Sequence, residues 1–190
     1  MLILDTLSFP ELPEQAVNED LLKQVGEGSQ EAFKKLYENT DKALYGFILS
    51  ILRNSYDAEE VMQETYMKIW TSASGYQAQG KPLAWMFTIA RNLCYMKFRE
   101  QKYQADVGLE ELNQGENGEF CPQIENAADK LVLQAALRAL KEEERQIVLL
   151  KNSSGLKHRE IAQIMGMPLA TVLSKYNRAM KKLEHYLREE

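Results

Sequence analysis

From Asp20 onward, apolar residues recur at three- and four-residue steps: Leu21, Leu22 and Val25, then Phe33, Leu36 and Tyr37, then Leu44, Tyr45, Ile48, Leu49 and Leu52. That spacing puts them on single faces of successive helices. The break at residues 26–29 is a turn, and Ser29 can cap the next helix by accepting from its free first-turn amides. Residues 54–57 separate this helix from another over 57–70, for which Asp57 is the expected N-cap. Glu59 and Glu60 in its first turn suit the positive end of the helix dipole. Val61, Met62, Thr65, Ile69 and Trp70 face inward, so Glu60, Gln63, Glu64 and Lys68 form a polar strip. Acids at that spacing are either a solvated face or a surface for a partner.

After a loop over residues 74–82, a helix over 83–102 has Met86, Ile89, Ala90, Leu93 and Cys94 toward its core side. Thr88, Arg91, Asn92, Tyr95, Arg99 and Lys102 fall together as a basic strip with one aromatic. Such a strip is a plain exposed face or a seat for single-stranded DNA, where cations attract phosphates and the tyrosine offers a face for base stacking. Residues 103–127 hold three Gly, scattered acids and Pro122, and read as a linker. Beyond it, Leu131, Leu133 or Gln134, Leu137 and Leu140 suggest one helix, and Ile147, Val148 and Leu150 a second over 142–150.

The C-terminal stretch Gly155-Leu-Lys-His-Arg-Glu-Ile-Ala-Gln-Ile-Met-Gly-Met-Pro168 has the pattern of a helix-turn-helix. Its first helix spans about 157–165, with Ile161, Ala162 and Met165 apolar. Gly166 stands where positive φ is needed, and Pro168 starts the next helix. In that second helix Val172, Tyr176, Ala179, Leu183 and Leu187 repeat inward. Thr171, Ser174, Lys175, Asn177 and Arg178 are left outward, where two helical turns can enter a major groove. A simple helical hairpin is the alternative for these residues taken alone.

Composition narrows the class. The chain has 190 residues, 45% hydrophobic, with ten Gly and five Pro, as expected of one large or two small helical domains. No apolar run is long enough to insert in a membrane or to form a signal-peptide core, so the expected location is cytoplasmic. Cys94 and Cys121 lie far apart without a CxxC pair, which argues against a zinc site or disulfide framework. No nucleophile or metal-ligand spacing accompanies His158 and His185, both expected on exposed helix faces; no catalytic group, metal or cofactor is expected. The net charge of −5 is unevenly divided, at −3 over residues 1–102, −6 over 103–130 and +4 over 131–190. The helix-turn-helix half is thus basic and the acid concentrates between the halves.

Several motifs together carry a family resemblance. Asp57-Ala-Glu-Glu-Val-Met-Gln-Glu-Thr with Trp70, then Trp85-Met-Phe-Thr-Ile-Ala-Arg-Asn, then Gly155-Leu-Lys-His-Arg-Glu-Ile-Ala and Thr171-Val-Leu-Ser-Lys-Tyr-Asn-Arg-Ala179 occur in that order. The chain resembles the extracytoplasmic-function (group IV) sigma factors of bacterial RNA polymerase, within the sigma-70 family. The likeness covers about residues 20–102 and 128–188.

The resemblance implies an all-α fold of two small helical domains joined by a flexible acidic linker. Residues 1–19 would be a loosely ordered leader, 20–102 a region 2-like domain, 103–127 the linker and 128–190 a region 4-like helix-turn-helix domain. It implies a transcription initiation factor, not an enzyme, whose partners are core RNA polymerase, promoter DNA and an anti-sigma factor. By this likeness Asp57, Glu60, Gln63, Glu64 and Lys68 bind core polymerase. Tyr76, Lys81, Thr88, Arg91, Asn92, Tyr95 and Arg99 hold the melted −10 strand, with a flipped base captured by the loop. Thr171, Ser174, Lys175, Asn177 and Arg178 read the −35 duplex. The linker would thread near the RNA exit path, where its acid can imitate nucleic acid, or serve as a solvated tether.

The chain departs from the family pattern at three places. Leu173 stands where a basic residue is usual, Tyr95 and Met96 where an Arg-Asp pair is common, and Asn152 and Ser153 where more hydrophobic residues precede Gly155. A competing reading is a stand-alone regulator that uses only the C-terminal helix-turn-helix on a two-fold symmetric duplex site.

Overall fold

The computed structural model describes residues 17–78, 80–106 and 127–188, with side chains at 104–106, 127–132 and 187–188 excepted. Most of the expected leader and linker, Cys121, and the side chains of Leu131 and Leu187 lie outside them. The described residues form eight α-helices and one 3-10 turn: α1 (Glu19–Gly26), α2 (Gln30–Leu52), α3 (Ser55–Ser72), the 3-10 turn Ala73–Gly75, α4 (Pro82–Asp106), α5 (Ala127–Ala139), α6 (Glu142–Asn152), α7 (His158–Met165) and α8 (Leu169–Arg188). The architecture is all-α, in two groups, α1–α4 and α5–α8.

Local chemistry sets the helix boundaries. Asn18 caps α1 by accepting from the Leu21 amide at 2.7 Å, and Ser29 caps α2 by accepting from Ala32 at 3.2 Å. The cap expected at Asp57 is instead Asn54, whose extended backbone lets its Oδ1 accept from the Asp57 amide at 3.1 Å. Asn is as good a cap as Asp, so α3 starts at Ser55. This places Asp57 in the first turn with its carboxylate free to face α4.

In the first group, α2 packs on α1, α3 and α4. Phe33 meets Trp70 at 5.0 Å, Phe47 meets Phe87 edge-on at 5.2 Å, and the buried Thr40 hydroxyl bonds Tyr66 Oη at 2.7 Å. In the second, α8 packs on α5, α6 and α7. Gly166 ends α7 with φ 62, its amide donating to Gln163 O and that of Met167 to Ala162 O, which closes the helix in the left-handed manner open to glycine.

The two groups share one core. Contacts between α2 and α6, and between α4 and α7, join them into a continuous buried cluster. Residues 46–52 of α2 and 144–150 of α6 are buried without interruption, so both segments are covered on every side. Arg145 is fully buried there, and its Nε donates to Ser50 O at 3.2 Å. Burial, with Arg53 nearby, lowers the guanidinium to about 10.

Candidate nucleic-acid and polymerase interface

On α3, the outward strip is present as a geometric fact: Glu60, Gln63, Glu64 and Lys68 are all exposed. Met67, 69% exposed, lies among them, and Tyr56, 76% exposed, stands one turn before Glu60. Sequence reasoning passed over these two, although an exposed methionine and tyrosine on a polar strip are typical interface anchors. Asp57 is set apart. It lies 3.8 Å from Lys97 Nζ and accepts from Gln101 Nε2 at 2.9 Å, while Lys97 also reaches Glu60 at 2.7 Å. The Glu60 hydrogen bond is the main cause that raises the Lys97 ammonium above its ordinary value, against a smaller loss from burial. Lys97 falls off the basic strip of its own helix because its position faces α3.

The loop between the 3-10 turn and α4 is shaped by a residue outside it. Glu19, at the start of α1, accepts from Tyr76 Oη at 3.2 Å and from the Gly80 amide. Tyr76 packs its ring on Trp85 at 5.1 Å. Tyr76, Lys81, Trp85 and Thr88 line a cavity of about 240 Å³, with Gln163 of α7 completing its wall. Glu19 was expected at the end of the loosely ordered leader but opens α1 behind the Asn18 cap, and nothing local to it announces a contact some sixty residues away.

Along α4 the expected core side is buried at Met86, Ala90, Leu93 and Cys94, with Ile89 half-buried and Phe87 added. Burial pushes the Cys94 thiol up to about 12. The basic strip is assembled: Asn92, Arg99 and Lys102 are exposed, and the Arg91 guanidinium lies 4.7 Å over the Tyr95 ring. Thr88 is half-buried and donates to Ala84 O at 2.8 Å.

In the C-terminal group, Val172, Ala179 and Leu183 are buried and Tyr176 half-buried, as the periodicity required. Ser174, Asn177 and Arg178 are exposed, Thr171 is half-buried, and Lys175 bonds Glu143 at 2.6 Å. Leu173 is 39% exposed on the same surface. His158 is not on an open face as expected: its ring packs edge-on against Tyr176 at 5.0 Å. Asn152 accepts from Tyr176 Oη at 3.1 Å, which gives this departure from the family pattern a structural task.

Two family models match the chain, sigma-70 region 2 over residues 36–103 and sigma-70 region 4 over residues 130–183. The chain belongs to the sigma-70 family. Its curated relatives are of the extracytoplasmic-function branch, including sigma factor SigK of Mycobacterium ulcerans, 29% identical over 88% of this chain and 91% of the relative. SigK of Mycobacterium tuberculosis H37Rv is 28% identical with the same coverage. Among solved structures, the sigma factor RpoE of Bartonella quintana, in complex with the anti-sigma factor NepR, is 27% identical with a TM-score of 0.68, over 83% of this chain and 98% of that one. CnrH, in complex with the cytosolic domain of CnrY, shares the fold at a TM-score of 0.64 and 22% identity, over 90% and 97%. This sigma factor is therefore an extracytoplasmic-function factor that directs RNA polymerase to promoters. The match to region 2 leaves no ground for the stand-alone regulator, which had assigned the first half no polymerase role.

Proposed function

We propose that this sigma factor divides its work among three surfaces. The exposed face of α3, with Gln63, Glu64, Lys68 and Met67, docks on core polymerase, while Lys97 holds Asp57 and Glu60 in register at its edge. The loop over 76–81 and the strip Thr88, Arg91, Asn92, Tyr95 and Arg99 hold the melted −10 strand, and the cavity beside Tyr76 and Trp85 takes a flipped base. Ser174, Asn177 and Arg178, with Thr171 and Lys175, read the −35 duplex. The reading is supported above all by the convergence of a basic strip, stacked aromatics and a base-sized cavity on one end of α4.

Bond-making belongs to the polymerase, so this chain works by binding alone, and its place is the cytoplasm beside that enzyme. No helix among the described residues is long and apolar enough to cross a membrane. The solved relative bound to an anti-sigma factor supports a similar inhibitor here.

Promoter-directed transcription with purified core polymerase, on a template selected from random DNA, tests the whole reading. Failure to form a complex with core sinks it. Glu64→Lys is expected to lower core affinity while circular dichroism stays unchanged, since Glu64 is exposed and no helix packs on it. Met67→Ala should cost more than 1 kcal/mol if Met67 is an anchor of the interface. Unaltered core affinity in both variants would move the docking surface off α3.

A further inference from the structure

Glu19 opens α1, far in sequence from any residue assigned to DNA, yet it holds the loop between the 3-10 turn and α4 at both ends. Its Oε1 accepts from Tyr76 Oη at 3.2 Å near the start of that loop and from the Gly80 amide near its end. Helix α1 does not need this carboxylate as a cap, because Asn18 already accepts from the Leu21 amide at 2.7 Å. A first-turn glutamate kept only for the helix dipole would stay in water. Glu19 is instead half-buried and turned toward the loop.

The arrangement has an electrostatic disadvantage that points to its use. Both donors are neutral, so neither offsets the charge of the carboxylate. A negative group beside a seat for phosphates weakens strand binding when taken alone. A carboxylate is, however, a stronger acceptor than an amide or hydroxyl, and one oxygen that takes two donors fixes both against each other. Through Tyr76 the restraint reaches further: the tyrosine ring packs on Trp85 at 5.1 Å, and both rings wall the cavity of about 240 Å³ beside α4. Glu19 is not itself among the residues that line it. It can act on a base there only by setting where the Tyr76 ring stands.

We infer that Glu19 is a positioning residue for the captured base: it presets the Tyr76 ring and the loop end before DNA arrives, so that less order has to be imposed when the base enters. The inference rests on the assignment of the loop over 76–81 to the melted strand. It adds a residue of α1 that touches neither DNA nor polymerase in that assignment.

Holoenzyme assembled from core polymerase and the full chain is titrated with a labelled single strand that spans the −10 element of the selected promoter. A matched series replaces one base at a time by an abasic site. In the wild type, removal of the captured base should weaken binding several-fold at its one position. Glu19→Ala should bind the intact strand several-fold more weakly. It should bind the strand abasic at that position as well as the wild type does or slightly better, since a negative charge has gone. A loss on the intact strand therefore runs against the electrostatics and reports position. Glu19→Gln, which drops the charge but keeps an oxygen to accept, should recover most of the difference between the two strands. In a Tyr76→Phe background Glu19→Ala should cost less than in the wild type, because one of its contacts is already absent. Core affinity of Glu19→Ala should equal that of the wild type, which separates positioning from loss of fold.

An equal preference for the intact over the abasic strand in the wild type and Glu19→Ala overturns the inference, as does a weakening of the same size on both strands. A wild type whose affinity depends on no single base sinks the assignment of the loop to the melted strand, and this inference with it.

Discussion

His158 carries the clearest single-residue consequence of the C-terminal packing. Burial against Tyr176, with Lys151 nearby, lowers its imidazole below the ordinary 6.5. The unfolded chain therefore takes a proton before the folded one does, and stability falls as pH drops below about 6.5 until the folded value is passed. His158→Phe keeps a ring against Tyr176 but removes the titration. Urea unfolding above and below that pH should show a smaller loss in the variant than in the wild type; equal losses would assign the acid sensitivity elsewhere. Glu144 contributes in the same direction at lower pH. Burial pushes its carboxyl up, but the Lys182 hydrogen bond and the Lys141 amide outweigh this and hold it low, so its contribution is lost as pH falls through the folded value. Arg178 tests the reading surface at the same scale. It is exposed, and its Nε contact at 3.3 Å is only to the Ser174 carbonyl of its own helix. Arg178→Ala should weaken −35 binding by the holoenzyme by roughly 1–3 kcal/mol if it meets a base edge. Duplex affinity measured on the selected promoter decides this, and no change would leave Ser174 and Asn177 to do the reading.

Among the elements, α1 has more influence on the loop proposed to hold DNA than its eight residues suggest. Its last residue, Gly26, lies so close to the 3-10 turn that a Cβ would stand 2.8 Å from Ser74 N and 2.9 Å from the Ala73 carbonyl. Those are backbone atoms with no side-chain freedom to yield. Gly26→Ala should therefore push α1 off the turn and cost about 1–3 kcal/mol. Gly75→Ala, where nothing lies within 4 Å, is the matched control and should be nearly neutral. Because Glu19 on α1 also holds Tyr76 and Gly80, the Gly26 variant should lose promoter opening more than it loses core binding. A thermal melt beside a strand-opening assay checks both, and equal melts for the two alanine variants would show that the close approach carries no load. The helices themselves were legible because their periodicity is local: Ser29, Gly166 and the inward faces of α3, α4 and α8 need only neighbours three or four residues away. Asn54 outcompeted Asp57 as a cap because both are good caps and only the backbone conformation chose. Glu19, Lys97 and Asn152 were missed because their partners come from other elements.

For the molecule as a whole, the least legible feature was the seam between the halves. Glu142, Glu143, Glu144, Arg145 and Gln146 make a charged and polar opening to α6, yet the last three of them are buried. Arg145 reaches the end of α2, nearly a hundred residues earlier, while Gln146 meets Arg91 of α4 and Glu144 meets Lys182 of α8, and nothing local to α6 announces these partners. A trace was present in the run Phe47, Ile48, Leu49 with Ile51 and Leu52, apolar around the whole helix rather than along one stripe, which requires cover on all sides. A shared core makes unfolding cooperative, since neither half can melt without exposing the other's buried face. The wild-type chain should therefore give one calorimetric transition, with equal van't Hoff and calorimetric enthalpies. Arg145→Ala removes a buried side chain and leaves the Ser50 carbonyl unpaired at the seam, while α2 keeps α1, α3 and α4 and α6 keeps α7 and α8. Its trace should broaden or split into two, the transition sensitive to His158→Phe belonging to the C-terminal group. Two transitions already in the wild type would mean that the halves melt independently and that the seam contributes little to stability.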